Sequence, residues 1–470
     1  MSEIVLIIPP FSYGSLKRTG NKTPALGIAS IASVLEKNGY SVKILDAFAL
    51  EMEKEEILKS VLREDPKIVG ITSVTLNSNI AMEILKSIKK RNKEIITVYG
   101  GPHATFMYEE ILKKSFIDFV VVGEGEYTML ELCNFLLKGK GKLQRIKGIC
   151  FKHNKKIVKT KARPLIKDLD ELPFPAYHLL PLDHYQPNAY LDTRRKFCSI
   201  MTSRGCPYNC LFCTTPKLWG NWRCRSVPKV CEELLLLYEK YKVSQLFIKD
   251  DEFTVNRKRV EKICDFIIKN KLDIVWECLG RVNDVNDKIL KKMYKAGCRS
   301  ISYGVESGYE DGLRKLRKGI TLNQVRKAVK LTQKNGIIVN TSFLLGLPWE
   351  SSTEIRKTIN FAKSLGSDII YFNLLVPYPG SDIRKIIEEK KLFSEYSSDL
   401  SNYTMHGKKP VIRTEYLSAD ELQRWRGRAY LELFFTPSLL FRNLKSYGSL
   451  KRKLTGGLEL FLTSIQDILQ

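Results

Sequence analysis

Cys206, Cys210 and Cys213 stand in the run Cys206-Pro-Tyr-Asn-Cys210-Leu-Phe-Cys213. Thiolates hold iron–sulfur clusters, and a complete cage takes four of them. Three thiols in one tight loop can hold three irons of a cubane and leave the fourth iron open. Open metal positions belong to catalysis, closed ones to structure. Two plainer readings compete, a zinc knuckle and a chance cluster. Zinc takes four ligands, commonly in two pairs, and no matching Cys-x-x-Cys or Cys/His pair follows the trio.

Such a loop needs a scaffold, and the chain around it supplies a repeating one. Strand-like runs at Cys198–Ser203, Gln245–Lys249, Asp273–Cys278, Ser300–Val305, Ile337–Phe343 and Ile369–Leu375 alternate with helical segments such as Arg257–Asn270 and Leu322–Asn335. Six βα repeats predict a partial barrel, whose chemistry gathers at the carboxyl ends of its strands. The cysteine loop follows the first strand. Asp250-Asp251-Glu252 ends the second, and Gly280-Arg281 lies just past the third. Gly304-Val-Glu306-Ser-Gly308 ends the fourth; Gly346-Leu-Pro348 with Glu350 follows the fifth, and Tyr378-Pro-Gly380 the sixth. A carboxylate there can hold an ammonium, and a guanidinium can grip a carboxylate with two hydrogen bonds. Each feature alone has an ordinary explanation, an N-cap for the aspartates and a turn for Gly-Leu-Pro. Their succession at consecutive strand ends argues for one site.

The N-terminal third shows a second β/α pattern. Ile4–Ile8, Val42–Leu45, Ile68–Thr72, Ile95–Tyr99 and Phe119–Val122 read as buried parallel strands separated by amphipathic helices. This predicts a doubly wound sheet that binds ligands at the carboxyl ends of its strands. Pro9-Pro10 and the loop to Gly20 follow the first strand, and Ser73-Val-Thr75 follows the third. Gly100-Gly101-Pro-His103 follows the fourth, and Gly123-Glu-Gly125 the fifth. Glycines let a flat ligand approach the backbone, and hydroxyls offer neutral hydrogen bonds. A cofactor-free Rossmann-like module is the plain alternative.

The cysteine spacing, with Phe212 before the last thiol, and the strand-end series resemble the radical S-adenosylmethionine (SAM) family. The four loops of the N-terminal third resemble the cobalamin-binding domain that precedes the core in one large class of that family. The resemblance covers about residues 1–395. It implies an α/β protein: an N-terminal doubly wound, Rossmann-like cobalamin-binding domain, then a partial (β/α)6 radical SAM barrel and a helical C-terminal segment. The expected boundaries are 1–140, a linker over 141–195, the core over 196–395 and the C-terminal region over 396–470.

The resemblance also implies three cofactors, a 4Fe-4S cluster, SAM and cobalamin. Cys206, Cys210 and Cys213 would hold the cluster and make it catalytic. Asp251, Glu252, Arg281, Glu306 and Gly346 would bind SAM, the acidic residue at 250–252 that meets its ammonium being left open. Ser73, Thr75, Gly100, Gly101, His103, Gly123 and Gly125 would line the cobalamin site. An electron would cleave SAM to methionine and a 5′-deoxyadenosyl radical, and methyl transfer to an unactivated carbon would follow. The implied partners are a small-molecule or lipid substrate and a flavodoxin- or ferredoxin-like electron donor. The Asp-x-His-x-x-Gly motif that ligates cobalt in many cobalamin proteins is absent; the loop reads Arg18-Thr-Gly-Asn-Lys-Thr-Pro-Ala-Leu-Gly27. His103 is the substitute to consider, and the preferred reading is that it shapes the pocket.

Composition bounds these readings. The net charge is +26, from 77 Lys and Arg against 51 Asp and Glu. The lysines are spread along helices and form no basic block, so a solvated surface is preferred over a nucleic-acid or membrane face. No apolar run reaches the ~18 residues needed to span a bilayer, and the start Met1-Ser-Glu-Ile-Val-Leu reads as a strand and not a secretory leader. Eleven cysteines, scattered apart from the trio, suit a reducing cytoplasm. Asp420–Phe435 is amphipathic, with interspersed arginines. It fits peripheral membrane contact or, preferred, packing on the barrel. Tyr430 to Arg442 loosely resembles the tail of relatives acting on porphyrin-like or lipid substrates, which implies a hydrophobic substrate. Three alternatives stay open: oxidative cyclisation or carbon–carbon coupling with the same cofactors, a tRNA-modifying methylthiotransferase, and an iron–sulfur redox or sensor protein. The methylthiotransferase brings a second cluster on N-terminal cysteines, whereas here only Cys133 and Cys150 precede residue 198.

Overall fold

The apolar runs form two separate sheets in the computed structural model, which describes residues 2–11, 21–404, 409–436 and 450–469. The chain divides into two units. One holds the N-terminal strand, Lys22–Tyr185 and Lys217–Arg223; the other holds Gln186–Pro216 and the chain from Cys224 on.

In the first unit, β1 (Ile4–Ile8), β2 (Val42–Asp46), β3 (Ile68–Thr72), β4 (Ile96–Gly100) and β5 (Phe119–Val121) pair in parallel, in the order β2-β1-β3-β4-β5. All five residues of β1 are buried, as expected of a strand covered on both faces. The covering helices are α1 (Leu26–Lys37), α2 (Lys54–Glu64), α3 (Ser78–Arg91), α4 (Pro102–Leu112) and α5 (Glu126–Lys138). The order reverses at β1, so the switch point lies between β1 and β3, where such sheets bind ligands. The boundary expected at residue 140 falls later. β6 (Ile149–His153) pairs antiparallel with β5, and β7 (Lys156–Lys159) with β6, which makes seven strands. Ile149, Cys150 and Phe151 are buried, so the hairpin belongs to this core and not to a linker. The unit runs on to Tyr185, whose hydroxyl donates to the buried Asp46 carboxylate at 2.7 Å.

In the second unit, β8 (Phe197–Ile200), β9 (Gln245–Ile248), β10 (Val275–Gly280), β11 (Cys298–Glu306), β12 (Ile338–Leu345) and β13 (Ile369–Leu374) pair in parallel in chain order. That is an open barrel wall of six strands. Between and after the strands come α6 (Val227–Leu235), α7 (Arg257–Lys269), α8 (Asp287–Lys295), α9 (Leu322–Lys334), α10 (Ser352–Leu365) and α11 (Asp382–Glu389). Their starts carry legible caps; Asn256 and Asn286, for example, accept from backbone N–H groups three residues on. The C-terminal region contributes α12 (Ala419–Phe434) and α13 (Leu450–Leu469). Tyr430 of α12 hydrogen-bonds both the N–H and the carbonyl of Phe372 in β13. Arg426 and Asp467 form an ion pair at 2.7 Å with both side chains buried. The arginine-bearing face of α12 is thus partly spent on packing. Pro437–Arg442 lies outside the described residues, and no helix among the described residues is long and apolar enough to cross a membrane.

Candidate active site

The cysteine loop leaves β8 through Thr202 and Ser203. Asp250, wholly buried, ties that exit down by accepting from the backbone N–H of Thr202 at 2.6 Å and of Ser203 at 3.1 Å, and from both hydroxyls. The acidic run after β9 therefore splits. Asp250 spends its oxygens on the scaffold, whereas Asp251 accepts from the Thr215 hydroxyl at 3.1 Å. The loop is then pinned at Leu211, whose N–H donates to Leu316 and whose carbonyl accepts from Ile383.

Cys210 is buried, while Cys206 and Cys213 are partly exposed. Burial pushes the Cys206 thiol up to about 12, with Glu252 and the other two thiols adding to the rise. Metal ligation and deprotonation are coupled at such a loop. No three His, Cys, Asp or Glu side chains among the described residues converge on a single ion.

Beside the thiols lies a compact charged group. Glu252 accepts from the N–H and hydroxyl of Thr254, and burial lifts its carboxyl to about 7. Arg281 is buried with its guanidinium stacked 3.5 Å from the centre of the Tyr208 ring, and its Nε–H has no partner. An orphaned guanidinium N–H in a buried site is costly unless a ligand completes it. The carboxylate of an amino-acid ligand such as SAM fits that demand. Glu306 is buried and takes a left-handed φ of 74°, and Lys318 Nζ lies 3.3 Å from it. A left-handed non-glycine residue at a strand end is a strained conformation of the kind that clusters at functional sites.

Gly346 also has a positive φ, 85°. Its N–H and that of Leu347 both donate to Glu350 at 2.9 Å. Glu350 is fully buried, and burial lifts its carboxyl to about 8. The loop after β12 is therefore shaped by Glu350, while Gly346 packs against Leu422 of α12. Gly308 serves packing and not ligand access: a Cβ there would lie 2.4 Å from Thr358 in α10.

The strand ends of the first unit carry mostly uncharged groups. Ser73 hydrogen-bonds the Tyr99 hydroxyl at 2.7 Å, and Thr75 meets His103 Nδ1 at 3.2 Å. Gly101 has φ 98°, and a Cβ there would lie 2.6 Å from Thr72 Oγ1 and 2.7 Å from the Ser73 carbonyl. Gly100 ends β4, and Gly123 follows β5 with φ 79°. These positions let backbone line the strand ends, a wall suited to a broad flat ligand. Gly125 does something else, making room for Ile31 of α1. His103 is buried at the start of α4 with Thr75 on its ring nitrogen. The Arg18–Gly20 part of the loop after β1 lies outside the described residues.

Tyr208, Thr254, Asp284 and Lys318 were not singled out by sequence. Asp284 accepts from the Tyr208 hydroxyl at 3.1 Å. Tyr208 lay in plain view inside the cysteine loop, and only stacking geometry gives it a role. Lys318 is one lysine among many until folding buries it against Glu306.

The chain matches the B12 binding domain over residues 16–133 and the Radical SAM superfamily over residues 200–362. It is 35% identical, over 98% of both chains, to an uncharacterized methyltransferase of Pyrococcus horikoshii. It is 29% identical to the anaerobic magnesium-protoporphyrin IX monomethyl ester cyclase of Rubrivivax gelatinosus, over 98% of this chain and 82% of that one. Its fold matches a radical SAM methyltransferase from Kitasatospora setae, solved with cobalamin and a 4Fe-4S cluster, with a TM-score of 0.74 over all of both chains at 16% identity. At that identity the likeness speaks for the fold alone.

Proposed function

Since this chain belongs to the radical SAM enzymes that carry a B12-binding domain, with a 4Fe-4S cluster, SAM and cobalamin as cofactors, we propose that it transfers a methyl group to an unactivated carbon of a small molecule. When bound, the cofactors supply reductive cleavage of SAM and a transferable methyl group. The chain's own residues bind, orient and exclude water. Cys206, Cys210 and Cys213 hold the cluster. Arg281, fixed by the Tyr208 ring, takes the methionine carboxylate of SAM. Asp251 and Glu252 take its ammonium, Glu306 a ribose hydroxyl or the ammonium, and the Gly346 loop lies along the adenine. Ser73, Thr75, Gly100, Gly101, His103 and Gly123 line the cobalamin side, and Gly125 supports them through its packing on Ile31. A flavodoxin- or ferredoxin-like protein donates the electron.

One observation carries the reading: a three-thiol loop stands beside a buried guanidinium with an unpartnered N–H, in a chain that also carries a glycine-walled switch point. The 35% relative named a methyltransferase supports methyl transfer. The cyclase relative favours a second reading, oxidative cyclisation without methyl transfer. Product mass separates the two, because only methylation adds a methylene unit. The test of the cofactor assignments is the ultraviolet–visible spectrum of anaerobically reconstituted protein after incubation with hydroxocobalamin and desalting. Stoichiometric cobalamin beside the cluster absorption is expected. Cys210→Ala should lose the cluster and SAM cleavage while keeping cobalamin. A cluster retained in that variant would sink the cysteine assignment.

A further inference from the structure

The inside of the barrel wall in the second unit is polar and open, where (β/α) barrels are ordinarily filled with branched apolar side chains. Strand alternation points Phe247, Leu279, Ser302, Ser342 and Tyr371 inward, and every one of them is partly exposed. Their neighbours point outward and are buried against helices: Tyr303 on Thr332 of α9, Phe343 on Phe361 of α10, Phe372 on Tyr430 of α12. Solvent therefore reaches the inward face and not the outward one.

Deeper in the lumen lies a hydrogen-bonded foot. Glu277 of β10 accepts from the Tyr190 hydroxyl at 2.8 Å and from Asn188 Nδ2 at 3.3 Å. Asn340 Nδ2 of β12 reaches the Tyr190 hydroxyl at 2.7 Å and the hydroxyls of Ser300 and Ser302 at 3.1 Å and 3.0 Å. Tyr190 in turn sits on an apolar floor of Leu191, Val275 and Ile338. Two acceptors in this lumen are unmet. Asn340 is 1% exposed and Asn373 6%, and the side-chain oxygen of each has no hydrogen-bond partner. A buried acceptor left so is costly, and a donor on a bound molecule would recover that cost. None of these side chains is cationic, so a carboxylate or phosphate would find amide and hydroxyl groups but no countercharge beside the Glu277 carboxyl. Burial lifts the Glu277 carboxyl to about 7, so near neutrality it can donate or accept.

We propose that Glu277 and Asn340 form the foot of the subsite that recognises the substrate of the enzyme proposed above, through an uncharged or cationic hydrogen-bond-donating terminus (a hydroxyl, a primary amide or an amine), with Asn373 four residues nearer the carboxyl ends on the neighbouring strand. The inference rests on that enzyme reading for the identity of the occupant. It also modifies the expectation of a hydrophobic substrate. Phe247 and Leu279 supply apolar contact for the body of the molecule, and the foot requires a polar end. The substrate class is amphiphilic, with its donor end deep in the barrel and its reacting carbon toward the strand ends.

Isothermal titration of the reconstituted, SAM-loaded protein tests this with four matched probes: hexanamide, hexylamine, N,N-dimethylhexanamide and hexanoate. Hexanamide and hexylamine should bind about tenfold more tightly than the other two, the value of roughly one buried hydrogen bond. Asn340→Leu should erase most of that preference, with an unchanged circular dichroism spectrum reporting an intact fold. Glu277→Gln, which keeps a hydrogen-bonding group, should retain the preference for the amide and lose that for the amine. Equal binding of hexanoate, binding by none of the four, or a preference that persists in Asn340→Leu would overturn the assignment. Titration of the cofactor-free protein, with SAM and hydroxocobalamin retention measured on the same preparation, separates the two claims. Lost cofactor binding with a retained probe preference sinks the enzyme reading alone. Retained cofactors without the preference sink the foot alone.

Discussion

The two units build their ligand ends from opposite materials. In the first, the strand ends carry glycine backbone and the short hydroxyls of Ser73 and Thr75, held by buried Tyr99 and His103. In the second they present thiols, two glutamates, an arginine and a lysine, nearly all buried. The difference follows from what each must hold. A broad ligand is seated by space and backbone dihedral angle, so its site is defined by side chains that are missing. A zwitterionic ligand is seated by charge, so its site is defined by side chains that are present and costly to bury alone. One added carbon should break the first site, and one removed charge the second.

The largest effect is expected from removing charge. Arg281→Met should weaken SAM binding by roughly 2–5 kcal/mol, because it leaves buried carboxyl groups and the SAM carboxylate without their partner. Cobalamin retention should not change. Calorimetric titration with SAM measures the loss, and an affinity within a factor of about two of the parent would mean that the guanidinium is a stacking element only. Next in size is the added carbon. Gly101→Ala forces a Cβ into the left-handed region and against Thr72 and the Ser73 carbonyl. The expected strain is about 1–3 kcal/mol, read as cobalamin lost on desalting while SAM affinity holds. Full cobalamin retention would show that the ligand does not approach this turn.

The smallest effect sharpens how the charged site is held. Burial raises Glu350 from 4.5 to about 8, so between those values the folded state binds more protons than the unfolded one. Its contribution to stability is fully present below about 4.5 and is lost as pH rises through about 8. Glu350→Gln keeps an acceptor for the Gly346 and Leu347 N–H groups. It should change stability near pH 5 by no more than about 1.5 kcal/mol and flatten the decline of Tm with rising pH. An unaltered slope would mean that Glu350 does not hold its proton in the folded protein.

Much of this architecture was legible beforehand, since buried parallel strands are written as short apolar runs and strand ends as breaks in them. The runs at Ile4–Ile8 and Ile68–Thr72 read to the residue. The hairpin Ile149–Lys159 falls within the expected linker over 141–195 and yet extends the first sheet. Nothing local says that Phe151 will pair with Phe119. In the site, the thiols and Arg281 announced themselves by type and position. Asp250, Asp251 and Glu252 did not separate until the Thr202 and Ser203 donors arrived from β8, some 48 residues earlier in the chain.

The amino-acid sequence by itself determined the two β/α periodicities, the three-thiol loop and the order of chemical groups along the strand ends, because hydrophobic period, turn residues and thiol spacing are local properties. Only the tertiary structure decided which of those groups are free to meet a ligand. It gave Asp250 to the scaffold, gave Gly125 and Gly308 to helix packing, buried Lys318 against Glu306, and left two asparagine oxygens unmet inside the barrel. The physical reason is that hydrogen-bond satisfaction and desolvation depend on neighbours distant in sequence, and a side chain's availability is what remains after those neighbours have taken their share.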